Sequence, residues 1–137
     1  MRFLMMVKGN KDTEAGVMPE ESLIAAMAKY HEELAKAGVL LDASGLQSTS
    51  KGFRIQYSAG KRNLIDGPFA EAKELVAGYT LIQVKSREEA IEWAKRFPAP
   101  HGENGDGELE VRQLFELEDF GPSEAVDRFR ELGVLRS

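Results

Sequence analysis

Cysteine is missing from all 137 residues, so disulfides, thiolate metal sites and a cysteine nucleophile are excluded. Histidine is almost as scarce. Only His31 and His101 occur, in separate segments, and neither a tightly held metal nor a cofactor is expected. Lys and Arg form no cluster and the net charge is −5, which argues against a nucleic-acid groove, because phosphate binding needs concentrated cations. Long hydrophobic runs are absent too. The apolar stretch in "MRFLMMVKG" is too short for a signal peptide or a membrane span, and a cytoplasmic protein is expected. No Gly-x-Ser-x-Gly elbow, His-Glu-x-x-His helix or Walker loop occurs, nor any internal repeat, low-complexity run or linker.

A chain of this length, 30% charged and 42% hydrophobic, has the balance of one folded domain spanning residues 1–137. Met1 to Lys8 is apolar on both parities, with Phe3, Met5 and Val7 opposite Leu4 and Met6, as in a strand covered on both faces. "NKDTEAG" reads as a solvated loop. Pro19 to Ala37 has helical spacing in Leu23, Ile24, Met27, Tyr30 and Leu34, with Glu20 and Glu21 at its start and Gly38 past its end. Val39 to Leu46 resumes as a strand, which "QSTSKG" interrupts. "GFRIQYS" alternates Phe53, Ile55 and Tyr57 with Arg54, Gln56 and Ser58; this predicts a strand with one wet face, returned by "AGK" into "RNLID" as a hairpin.

Leu75 to Lys85 is a long strand with Val76, Thr80, Ile82 and Val84 on one side and Ala77, Tyr79 and Leu81 on the other. Ser86-Arg87-Glu88-Glu89 is a capping box that opens a helix bearing Ala90, Ile91, Trp93, Ala94 and Phe97, ended by Pro98. "APHGENGDG" is a loop. Glu108 to Leu117 alternates, with Leu109, Val111, Phe115 and Leu117 inward, and a helix after Pro122 carries Val126, Phe129 and Leu132. Met5, Met6 and Trp93 read as core filling.

This order predicts an α+β, ferredoxin-like βαβ-βαβ sandwich with an inserted β-hairpin and a C-terminal helix, both main helices lying on one sheet face. The other face then needs a cover, because both sides of the strand from Leu75 to Lys85 are apolar. The simplest cover is the same face of a second copy about a two-fold axis, giving a homodimer.

"DGPFAEAKELVAGYTLIQVKSREEAIEWAKRFP" resembles the signature of the DGPF, or YCII-related, family of small bacterial proteins. "EELAKAGVLLDASGLQ" and "GELEVRQLFELEDF" are similar to its other recurring blocks. The resemblance implies a dimeric α+β barrel. It also hints at a regulatory context, since some members are encoded near, or fused to, alternative sigma factors. The related YciI branch is associated with a His–Asp pair, the His on the first helix and the Asp near the end of the second. Here the His position falls on or near Met27, with His31 one turn later, and the second helix ends in Arg96-Phe97-Pro98 without an Asp. The pair is not carried over.

Asp66-Gly67-Pro68-Phe69 is first of all a turn, in which the Asp66 side chain would accept backbone N–H groups. The competing reading turns that carboxylate toward a ligand, near Glu71, Lys73 and Glu74 at the barrel mouth. His31 borders the buried stripe, either hydrogen-bonded in place or acting as a general base. Arg54 is a candidate contact for a carboxylate or phosphate, and Tyr79 for stacking or donation; the blander alternatives are a surface-paired Arg and a dimer-packing Tyr. His101 lies in an acidic loop without the spacing of a calcium hand, and solvation explains it. Two functions stay open. One is binding of, or action on, a small polar molecule in a barrel cleft through Asp66, His31, Arg54 and Tyr79. The other is a non-catalytic regulatory or interaction module linked to sigma-factor-dependent transcription control.

Overall fold

The computed structural model describes residues 1–102 and 105–133. The apolar opening forms β1 (Arg2–Lys8), inside a four-stranded sheet ordered β2-β5-β1-β6, with β2 at Leu40–Gly45, β5 at Val76–Gln83 and β6 at Leu109–Gln113. Every neighbouring pair is antiparallel. Helix α2 (Glu21–Lys36) carries the chain from β1 to β2 and leaves a gap that β5 fills. Helix α3 (Arg87–Lys95) then leads from β5 past β1 to β6. This is the expected ferredoxin-like, split βαβ arrangement.

Register decides which side chains the helices cover. Phe3 pairs with Ile82 and Met5 with Thr80, so these four point the same way. They are buried, and the core cluster joins Phe3, Met5 and Ile82 to Tyr30 and Leu34 of α2 and Ala90 of α3. Trp93, Phe97, Leu109 and Val111 pack around its margin. The Tyr30 hydroxyl donates to the Trp93 carbonyl at 2.6 Å and ties the helices together; burial pushes its pKa up to about 12. Gly38, at φ 74°, supplies the left-handed turn that ends α2. At the start of α3 the Ser86 hydroxyl accepts the Glu89 N–H at 3.1 Å, which is one half of the expected capping box; the Glu89 carboxylate accepts the Lys85 N–H at 2.9 Å instead of that of Ser86.

Several segments depart from expectation. "NKDTEAG" contains a one-turn helix, α1 (Lys11–Glu14), because the side chains of Asn10 and Thr13 each accept the other's backbone N–H at 2.9 Å. Strand β6 stops at Gln113, so the alternation expected through Leu117 breaks. There the Arg2 guanidinium grips the Glu116 carboxylate through Nε at 3.1 Å and Nη2 at 3.0 Å, and the chain enters a 3-10 turn (Leu117–Phe120). Leu117 is buried, but Phe115 is 64% exposed and its ring lies 5.0 Å from that of Phe120. Met6 is half-buried on the sheet face away from the helices, outside the core. His101 is half-buried rather than solvated, and its Nε2 bonds the Lys8 carbonyl at 3.0 Å, which anchors its loop to the end of β1.

The inserted hairpin, β3 (Phe53–Ser58) with β4 (Lys61–Asp66), forms a separate two-stranded sheet. Its residues alternate as expected, yet neither face is dry: Phe53, Ile55, Tyr57 and Leu64 are 40–72% exposed. Helix α4 (Glu124–Leu132) starts at Ser123, whose hydroxyl accepts the Val126 N–H at 3.0 Å. It packs on the preceding 3-10 turn and leaves Phe129 and Leu132 exposed. Among the described residues no helix is long and apolar enough to cross a membrane.

Leu34 is fully buried between α2 and the sheet, whereas Met18 is 79% exposed. Leu34→Ala should therefore lose about 2–5 kcal/mol through transfer and cavity terms. Met18→Ala should stay within about 0.5 kcal/mol. Chemical denaturation of the two variants checks the contrast.

Candidate functional site

On the sheet face away from the helices, register aligns two rows from the β2 edge to the β6 edge. One row is Asp42, Leu81, Leu4 and Arg112; the other is Ser44, Tyr79, Met6 and Glu110. Each is apolar at its centre and polar at both ends. Leu4, Met6, Tyr79 and Leu81 are only half-buried, since the helices lie on the opposite side.

The carboxylate in the first row owes its place to an irregularity in β2. Leu40 pairs with Ile82 and Asp42 with Leu81, so Leu41 is an extra residue, as in a β-bulge. Without it, Leu41 would face outward and Asp42 would turn toward the core, because a one-residue slip exchanges the faces. The Tyr79 hydroxyl donates to Asp42 Oδ2 at 2.9 Å, and Asp42 Oδ1 accepts the Ala43 N–H at 2.9 Å. The hydrogen bond to Asp42, and then the charge of that carboxylate, raise the Tyr79 pKa, while the Ser44 hydroxyl opposes them. The phenol therefore stays protonated as a donor, and Asp42 retains lone pairs for a further donor.

The other candidates lie elsewhere. His31 is on the helix-covered face, with Nδ1 2.7 Å from the Met27 carbonyl and Nε2 2.8 Å from the Thr80 hydroxyl. A carbonyl can only accept, so Nδ1 carries a proton, and in the neutral ring Nε2 accepts from Thr80. Both ring nitrogens are engaged, and Tyr30 and Phe97 meet the ring edge-on. Tyr79 and Thr80 are adjacent on β5 and face opposite ways, so the sheet separates His31 from the Tyr79–Asp42 pair. Arg54 is exposed, its guanidinium 3.8 Å above the Phe69 ring.

The turn after β4 is held without the Asp66 side chain. The Gly67 N–H donates to the Gly52 carbonyl at 2.9 Å, and the Phe69 N–H to the Thr49 hydroxyl at 3.0 Å. Thr49 in turn donates its backbone N–H and its hydroxyl to the Glu14 carboxylate. Gly67 lies so close to this segment that a Cβ would sit 1.7 Å from the Thr49 carbonyl oxygen, which requires glycine. Gly67 and Phe69 are thus occupied by packing. The Asp66 carboxylate is exposed and accepts no hydrogen bond among the described residues, contrary to the capping expected of it.

Asp42, Thr49 and Glu14 were not picked out by sequence reasoning. The signal for Asp42 is the alternation of Asp42 and Ser44 in "LLDASG", which points to a site only once the register with β5 is known.

An antiparallel, ferredoxin-like α+β domain with one open sheet face is the class of protein that these features define. The chain belongs to the YCII-related domain family, whose model matches residues 1–118. It is 34% identical over 105 residues, 77% of this chain and 78% of the other, to an uncharacterized protein of Rhizobium meliloti (strain 1021). A solved 5-chloro-2-hydroxyhydroquinone dehydrochlorinase of Burkholderia phenoliruptrix AC1100, in complex with 2,5-dihydroxybenzoquinone, aligns over 85% of this chain and 95% of its own at 14% identity and a TM-score of 0.46. A likeness that distant says nothing of the ligand or reaction of this chain.

Two outcomes follow from the geometry. Asp66→Ala should change stability by less than about 0.5 kcal/mol, whereas Thr49→Ala, which strands the Phe69 N–H, should cost about 1–3 kcal/mol; thermal denaturation compares them. Asp42→Asn removes the charge that disfavours the phenolate, so the Tyr79 pKa should fall toward its ordinary value of 10.0. A pH titration followed by NMR of 13C-labelled tyrosine detects that shift.

Proposed function

We propose that this protein binds a small molecule on the open sheet face, in a chamber closed by the same face of a second copy. The observation that carries this reading is the pair of cross-strand rows, apolar at the centre and ending at the Tyr79–Asp42 corner. Leu4, Met6 and Leu81 offer an apolar bed, and a few placed polar groups beside such a bed are what orient small ligands. Asp42 has acceptor capacity left after holding Tyr79, so a ligand bearing a hydroxyl or amine donor is favoured there. An anionic group would meet the carboxylate and is disfavoured. Pairing two such faces about a two-fold axis removes both apolar beds from water.

In this reading Tyr79 and Asp42 contact the ligand. His31 holds α2 to the sheet, and Arg54 braces Phe69. Asp66 stays open to solvent and is the further group to examine at the chamber rim.

Sedimentation at micromolar concentration should give a dimer. Native mass spectrometry against matched panels of hydroxylated, amine-bearing and carboxylate-bearing ring compounds should then give adducts with the donors and not the carboxylates. Asp42→Asn and Tyr79→Phe should each weaken binding about tenfold, the worth of roughly 1.4 kcal/mol. A stable monomer, or adducts indifferent to both substitutions, would overturn the reading. A dimer that retains no compound would favour the regulatory module instead.

A further inference from the structure

We infer that the β3–β4 hairpin of one copy docks on the C-terminal segment of a second copy, twice in each dimer. This rests on the sheet-face pairing above and specifies what else that dimer buries. Two exposed apolar surfaces carry the inference, and both lie outside the four-stranded sheet. Phe53, Ile55, Tyr57 and Leu64 share one face of the hairpin, because Ile55 pairs with Leu64 and Tyr57 with Arg62. Phe115, Phe120, Phe129 and Leu132 are exposed on and around the 3-10 turn and α4. Aromatic groups left in water on both surfaces are the kind that anchor protein interfaces.

Their charges are opposite. The hairpin, residues 53–66, contains Arg54, Lys61 and Arg62 against the single acid Asp66, a net +2. Residues 115–132 contain Glu116, Glu118, Asp119, Glu124, Asp127 and Glu131 against Arg128 and Arg130, a net −4, with Glu116 held by Arg2 and Asp127 by Arg130. Among the described residues none of the three hairpin cations forms an ion pair within the chain. Arg62 instead lies over the Tyr57 ring, at 5.2 Å from its centroid, on the apolar face itself. A cationic, aromatic arm and an anionic, aromatic receptor suit one another, and complementary fields also fix register.

The positions fit as well as the charges. The hairpin is inserted between the end of β2, where Gly45 pairs with Gly78, and the start of β5, where Val76 pairs with Lys8. The C-terminal segment leaves β6 after Gln113, which pairs with Phe3. The two surfaces therefore sit at opposite ends and opposite edges of the sheet, on one diagonal. When two sheets face one another about a two-fold axis along the other diagonal, each hairpin corner falls over the partner's C-terminal corner. The strands then cross near a right angle, one of the two usual ways in which sheets pack.

Two full-length charge-reversed chains test this, Lys61→Glu/Arg62→Glu, which takes the hairpin from +2 to −2, and Glu124→Lys/Asp127→Lys/Glu131→Lys in α4, which takes the C-terminal segment from −4 to +2. Each alone should self-associate at least tenfold more weakly than the wild type in sedimentation equilibrium at low salt. Mixed one to one, they should form a heterodimer near wild-type affinity, because every hairpin then meets a segment of opposite charge. Circular dichroism melts confirm that each variant is folded, and Phe53→Ser/Leu64→Ser gives an independent, uncharged weakening. A wild-type monomer would overturn the sheet-face reading itself. A wild-type dimer that both reversals leave intact, or a mixture that does not recover, would overturn the hairpin contact alone and leave the arm for a different protein.

Discussion

Covering a sheet on one side only is the constraint from which the rest of this molecule follows. A split βαβ fold sends both crossover helices to the same face, because each connection must pass over a neighbouring strand and pack back on the sheet in one hand. Phe3, Met5, Thr80 and Ile82 go under those helices, and Leu4, Met6, Tyr79 and Leu81 go to the other side. The core and the proposed binding surface are thus two faces of the same strands, one residue apart. Any change of register in β5 would damage both at once.

Much of this was legible in the sequence because it depends on local signals. Two-sided apolarity in "VAGYTLIQ" identifies a central strand, Gly38 marks the end of α2, and Ser86 with Glu89 marks the start of α3. Each signal acts within a few residues and needs no knowledge of partners. The failures share the opposite property. Whether Phe53, Ile55 and Tyr57 are buried depends on where the whole hairpin goes, and the parity of Phe115 depends on Arg2, far away in sequence, capturing Glu116.

The candidate site was the less legible part for the same reason. Tyr79 was identified from its strand, but its partner Asp42 sits where it does only because Leu41 bulges out of register. Asp66 was assigned the turn-holding role by residue type, yet Thr49, from a separate turn, takes it through Phe69 while Glu14 holds Thr49. A short motif can therefore be read correctly as a turn and wrongly as to which atoms hold it. In this one, Gly67 and Phe69 answer to packing, and the exposed Asp66 carboxylate does not.

The clamp between Arg2 and Glu116 divides the chain into parts that can vary at different rates. Upstream of it, nearly every apolar side chain of the four-stranded sheet is tied to a helix or to a cross-strand neighbour, so a substitution is felt in the core. Downstream, α4 rests on the turn before it, and none of its residues is buried. Changes of charge or length there have no path to the core, and the family match itself ends at residue 118. A domain built this way can acquire a new docking preference by editing its tail, while the sheet that gives it stability is inherited unchanged.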